Sequence, residues 1–143
     1  MKTPEPRPSI SLVIFIGCGI WLIGLGLYFI LLRPALLLED LRFMGTSQGE
    51  IQSSIPGLER WLRRVFTVMG GFMTGAGVLT ISVALNAPAG REKWTWIVLA
   101  FAGLFTVGTM SLTNFQLNSE FKWLLLMPFL LWVIGLVLRH RHW

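Results

Sequence analysis

Four stretches of this chain run for 16 to 23 residues without one Asp, Glu, Lys, Arg or His, at 10–32, 65–86, 94–113 and 123–138. Apolar residues arrive in these blocks as unbroken runs rather than as one face of each element. A soluble fold of this size has too little interior to hide them. A hydrocarbon core roughly 30 Å thick takes about 20 helical residues, so the bilayer is the solvent the blocks require. There every backbone N–H and C=O must find a partner within the protein, which selects helices. The fourth block, with 16 residues, reaches only about 24 Å at ~1.5 Å per residue, and flanking Lys122 and Arg139 snorkel to cover the deficit. The fold class expected is an all-α integral membrane four-helix bundle, one transmembrane domain over residues 1–143.

Charge is arranged to match. Only 13% of the chain is charged, against about 25% in ordinary soluble domains. The net charge of +5 comes from twelve Lys and Arg at the ends of the blocks, where basic side chains reach back to headgroups. They form no single patch, so membrane lipid is the expected partner and nucleic acid is not. Cys18, the sole cysteine, rules out an internal disulfide and a thiolate cluster. The first block exceeds the roughly 7–15 residues of a cleavable signal, so it reads as a retained span.

The second to fourth blocks are joined by short polar links, which force antiparallel neighbours. Residues 33–64 form the one long connection. After Pro34, Leu37, Leu38, Leu41 and Met44 recur at helical spacing, with Glu39, Asp40 and Arg42 on other faces. The run TSQGEIQSS reads as an exposed loop. From Pro56, Leu58, Trp61, Leu62 and Val65 make a second stripe that continues into the second block, with Glu59 and Arg63 at the favourable i, i+4 spacing. These are amphipathic interfacial segments between the first and second spans. Trp61, Trp94, Trp96 and Trp123, with Arg63 and Arg64, sit at span ends and read as interfacial anchors.

Lipid supplies no hydrophobic drive between helices, so close backbone approach at small residues holds a bundle together. The first block carries Gly17, Gly19, Gly24 and Gly26, two sets seven apart. In the second, Gly71 and Gly75 form a GxxxG pair. The third presents Ala102, Thr106, Thr109 and Thr113 on one helical face. Helix packing is therefore expected at Gly19, Gly26, Gly71, Gly75, Thr106 and Thr109.

Reactive chemistry is sparse. Charged and histidine side chains within a membrane mark proton relays and ion pathways. The four blocks hold no Asp, Glu, Lys, Arg or His, the first offering only Cys18 and Tyr28 as polar handles. His140 and His142 lie in the basic tail, and no hydrolase, zinc, phosphate-loop or CxxC motif occurs. No metal and no cofactor is expected. Glu39 and Asp40 are the best acid–base pair on offer, although helix neighbours point about 100° apart. The expected function is non-catalytic: a small accessory or scaffold subunit contacting other membrane proteins, a second copy of itself, or lipid. Two alternatives stand beside it. One is a membrane enzyme acting on a lipidic substrate at the headgroup layer, with Glu39 and Asp40 as its catalytic pair. The other is a carrier for an uncharged solute. Basic residues divide six and six between the two sides of a four-span topology. Neutralisation of Arg60, Arg63 and Arg64 by Glu59 and by headgroup packing would tip the balance to cytoplasmic termini, in a multi-pass protein of the plasma (inner) membrane.

Overall fold

The computed structural model describes residues 9–86 and 92–140, the side chains of Glu92 and His140 excepted. Residues 1–8, 87–91 and 141–143, with them Lys2, Arg7, Arg91, Arg141 and His142, lie outside the described set. The elements are α1 (Ile10–Leu31), α2 (Leu38–Met44), α3 (Gln48–Ser54), α4 (Leu58–Leu85), α5 (Glu92–Gly103), a π-helical turn (Leu104–Gly108), α6 (Thr109–Gln116) and α7 (Lys122–His140). Four helical segments are long and apolar enough to cross a membrane: Ile10–Leu31, Leu58–Leu85, Lys93–Gln116 and Lys122–Arg139. The architecture is the all-α bundle expected. The last span gains residues at both ends relative to its apolar block, and its 18 residues reach about 27 Å. That brings it close to the hydrocarbon thickness without re-entrance.

Local signals explain the ends. Ser9 caps α1 by accepting from the Leu12 N–H at 3.3 Å. Pro34, with no N–H to donate, stops that helix just past its C-cap at Leu32. It does not open the next helix, which begins only at Leu38 with Asp40 accepting from the Leu37 N–H at 2.9 Å. The stretch read as an exposed loop holds a helix instead. Ser47 and Glu50 form a reciprocal capping box that starts α3, a Ser-x-x-Glu pattern that outweighs the polar composition around it. Gly45 ends α2 at φ 64°, a left-handed conformation that glycine adopts without penalty. α4 runs unbroken for 28 residues, about 42 Å. Its first two turns therefore stand above the hydrocarbon.

Glu50 carries a testable consequence. Its Oε2 accepts from the Ser47 N–H, the Thr46 hydroxyl and the Ser47 hydroxyl at 3.0, 2.9 and 3.2 Å. Those bonds, the backbone one first, hold its pKa below the ordinary 4.5. A depressed carboxylate pKa stabilises above the unfolded value and is lost as pH falls through the folded one. The start of α3 should therefore fray in acid, as pH falls below the ordinary 4.5 and through the lowered folded value. Amide exchange over 48–54 would show the acid loss in the parent, and Glu50→Gln would make the protection pH-independent.

Packing of α1 against α4 is the closest in the bundle. Gly19 and Gly26 of α1 meet Gly77, Gly70 and Thr74 of α4. A methyl group on Gly70 would stand 2.5 Å from the Gly26 carbonyl oxygen, and one on Gly77 2.5 Å from that of Gly19. The two backbones touch because nothing but hydrogen lies between them. The GxxxG pair lies elsewhere. Gly71 and Gly75 have nothing within 4 Å, because one step along a helix turns a side chain by about 100° away from the seam.

At the other end of the bundle, Trp132 of α7 fills the centre. It is 1% exposed and meets Phe15 edge-to-face with ring centroids 5.6 Å apart. Its Nε1–H donates to the Leu99 carbonyl at 2.8 Å, and the indole lies flat on the bare backbone of Gly103. Trp96 returns the bond from α5, donating to the Leu136 carbonyl of α7 at 3.1 Å. Each helix thus sends an indole onto the other's backbone. Leu22, Ala84 and Val107 complete this core.

The π-turn explains which face of the third span is inside. Thr95, Leu99, Gly103, Val107 and Ser111 are all buried, at a spacing of four. On a straight α-helix such a row drifts about 40° per step, because 3.6 residues complete a turn. A π-helical turn, with its wider i→i+5 winding, takes up the surplus and keeps the row facing α7. Thr109 and Thr113 are exposed and Thr106 is half-buried. All three bond back to their own helix, on the carbonyls of Phe105, Thr109 and Ala102. The threonine face expected to pack is thus turned outward after the π-turn.

Candidate functional site

The polar groups closest to the membrane gather where the 33–64 connection crosses the end of the bundle. Glu39, in the first turn of α2, accepts from the Ser119 hydroxyl at 2.8 Å and from the Glu120 N–H at 3.2 Å. Ser119 is fully buried and accepts from the Phe121 N–H at 3.1 Å. Both donors that Glu39 takes lie in the turn that leads into α7, so this carboxylate holds that turn from a distant segment. Arg42 reaches Glu120 at 3.5 Å on the open surface, a pairing worth little in water.

Asp40 faces another way. Its Oδ2 takes the Leu37 N–H and stands 3.5 Å from the Arg33 guanidinium. Arg33 lies over the Phe66 ring at 3.6 Å and the Phe29 ring at 5.1 Å from the centroids, a cation–π clamp between α1 and α4. Its Nη1 also donates to the Pro34 carbonyl at 3.1 Å. Glu39 and Asp40 are therefore not brought together over a common atom. One latches the connection to the turn before α7, and the other closes the turn after α1.

The expected anchors lie at span ends. Trp61, Trp94 and Trp123 are exposed, as are Arg63 and Arg64, and Trp123 packs edge-on against Phe115 at 5.3 Å. Trp96 is turned inward instead, as its bond to Leu136 requires. The Glu59–Arg63 pair favoured by spacing does not form, because Glu59 accepts from the Gln48 side-chain amide at 3.1 Å. Arg60, Arg63 and Arg64 consequently have no carboxylate partner among the described residues.

Outer faces make up most of each span. Only 17% to 33% of the residues in the four apolar windows are buried within the chain. Two outer rows carry open glycines, one on α4 through Gly71 and Gly75 and one on α1. Val13, Gly17, Ile20, Gly24, Leu27 and Leu31 are all exposed, and neither glycine has an atom within 4 Å. Their spacing alternates four and three, as in the seam of a coiled coil. The inward row, Phe15, Gly19, Leu22 and Gly26, has the same alternation displaced by two residues, which puts it on nearly the opposite side. α1 therefore carries one filled seam and one open seam.

Several residues that organise this arrangement carry weak sequence signals. Ser119 is one polar residue in a polar link, and nothing local ties it to Glu39, eighty positions away. Trp132 escapes the sequence reading, and its one signal is an indole placed mid-block, away from either interface. Compared with protein-family models, curated proteins and solved structures, the chain matches none.

Proposed function

We propose that this protein is a non-catalytic membrane subunit that docks a helix of another membrane protein, or of a second copy, on the outer seam of α1. The observation that carries the reading is the 4–3 row Val13, Gly17, Ile20, Gly24, Leu27, Leu31, exposed along its whole length. Lipid chains need no glycine at regular intervals, whereas a close helix crossing does. The carboxylates an enzyme would use are engaged: Glu39 with Ser119 and the Glu120 N–H, Asp40 with Arg33 and the Leu37 N–H. Both serve to fix the connection.

Co-purification after mild detergent extraction tests this. Gly19 and Gly26 pack against α4, so bulk there disrupts the bundle itself. Gly17→Phe and Gly24→Phe should release the partner while the bundle stays folded. Glu39→Gln, Asp40→Asn and Arg42→Gln should keep it. Loss of cellular function in the amide variants with the partner still bound would overturn the reading in favour of catalysis.

The same reading places the protein in the plasma (inner) membrane with both termini cytoplasmic. The basic-residue count is tied, and the Glu59 pairing that would break the tie is absent. What supports the orientation is that Arg60, Arg63 and Arg64, on the connection side, are exposed where headgroup packing would neutralise them. Gln48→Cys, in a Cys18→Ser background, should react with an impermeant thiol reagent on intact cells. Protection at that position reverses the orientation.

A further inference from the structure

We propose that the first turns of α4 form a binding site for an anionic phospholipid, with the headgroup phosphate on Arg64 and Arg60, Arg63 adding charge from the adjoining face, and an acyl chain in the groove beneath Arg64. An open groove of about 340 Å³ is lined by Arg64, Val65, Val68, Met69 and Phe72. These positions follow i, i+4, i+8 spacing down one face, and Val68, Met69 and Phe72 are all exposed. From Arg64 to Phe72 the groove descends about 12 Å at ~1.5 Å per residue. That is most of one leaflet, half of a roughly 30 Å core.

The charge identifies the occupant. Arg64 lines the head of the groove, with exposed Arg60 one turn above it and exposed Arg63 on the adjoining face of the same turn. No carboxylate answers them among the described residues, since Glu59 is bonded to Gln48, Asp40 to Arg33 and Glu120 to Arg42. Uncompensated guanidiniums at headgroup level attract anionic lipid, and the planar fork of arginine matches phosphate oxygens. A neutral helix would fill the groove and leave these charges unanswered. A phospholipid satisfies both halves at once. The site requires only that the chain spans a bilayer. It is independent of partner docking on α1, so either proposal can fail alone.

Native mass spectrometry of the delipidated, detergent-purified full chain tests it, with phosphatidylglycerol and phosphatidylcholine of matched acyl chains as probes. The parent should retain phosphatidylglycerol about tenfold better, on the order of one arginine–lipid contact or more. Arg63→Gln/Arg64→Gln should erase that preference, and Arg63→Lys/Arg64→Lys should keep much of it. Met69→Trp, which fills the groove without touching charge, should weaken both lipids and serves if the arginine variant fails to fold. Equal retention of the two lipids by the parent overturns the proposal, as does a preference that survives Arg63→Gln/Arg64→Gln. So does displacement by inorganic phosphate alone, which would make the site one for the free anion. A disulfide dimer formed by Phe72→Cys in bilayers would show that a second copy fills the groove, and would overturn it too.

Discussion

Gly77→Leu is expected to lower the stability of the folded bundle by about 1–3 kcal/mol or more, the cost of forcing bulk into a tight interior. Gly70→Leu should do the same. At both positions the added carbon would stand 2.5 Å from a carbonyl oxygen of α1. That obstacle is backbone, which cannot swing aside as a side-chain tip can. The helices must separate, and the dispersion contacts along the whole seam weaken together. Gly71→Leu is the matched control, one residue away with nothing within 4 Å. It should change stability by no more than about 0.5 kcal/mol, as outward substitutions do. Thermal unfolding in detergent separates the two. Equal loss in Gly71→Leu and Gly70→Leu would mean that α4 is rotated from the orientation described.

Trp132→Ala should cost about 3–5 kcal/mol, because the largest buried side chain would leave a cavity between three spans. Trp132→Phe divides the contribution. It keeps most of the ring against Phe15 and Gly103 but cannot donate to Leu99. Interhelical hydrogen bonds in membranes average only about 0.6 kcal/mol, with a maximum near 1.7. Packing therefore outweighs the indole bond, and Trp132→Phe should fall well short of Trp132→Ala in the same unfolding measurement. Near-equal losses would place the energy in the hydrogen bond instead. Trp96→Phe, which removes the reciprocal bond onto Leu136, should resemble Trp132→Phe.

The spans were legible because hydropathy over 20 residues sums many small transfer energies of one sign. The faces were not, because each depends on where a helix points. Gly19 and Gly26 fall on the α1–α4 seam, yet the sequence offers Gly17 and Gly24 at the same heptad spacing. Only the partner's surface distinguishes the two sets. On α4, GxxxG drew attention to Gly71 and Gly75, while the seam uses Gly70, Thr74 and Gly77, whose i, i+4, i+7 spacing is equally helical. The third span misleads for another reason. Its buried row keeps a spacing of four, which no straight α-helix holds, and the π-turn over Leu104–Gly108 has no local signature. In the connection, Ser47 and Glu50 did announce α3 through a capping box, but polar neighbours masked it. The Glu39–Ser119 latch joins residues too far apart in sequence for any pattern to reveal.

Photo-crosslinking from the outer seam of α1 in native membranes tests the central claim most directly. A photoreactive side chain at Ile20, flanked by Gly17 and Gly24, should give one discrete protein adduct, of twice the chain's mass if the partner is a second copy. The same group at Leu130 of α7, exposed on a row that holds no glycine, should give lipid adducts alone. Discrete protein adducts from Ile20 that vanish with Gly24→Phe are the result expected of a docking seam. Lipid adducts alone from both positions would contradict it, leaving α1 as one more lipid-facing helix.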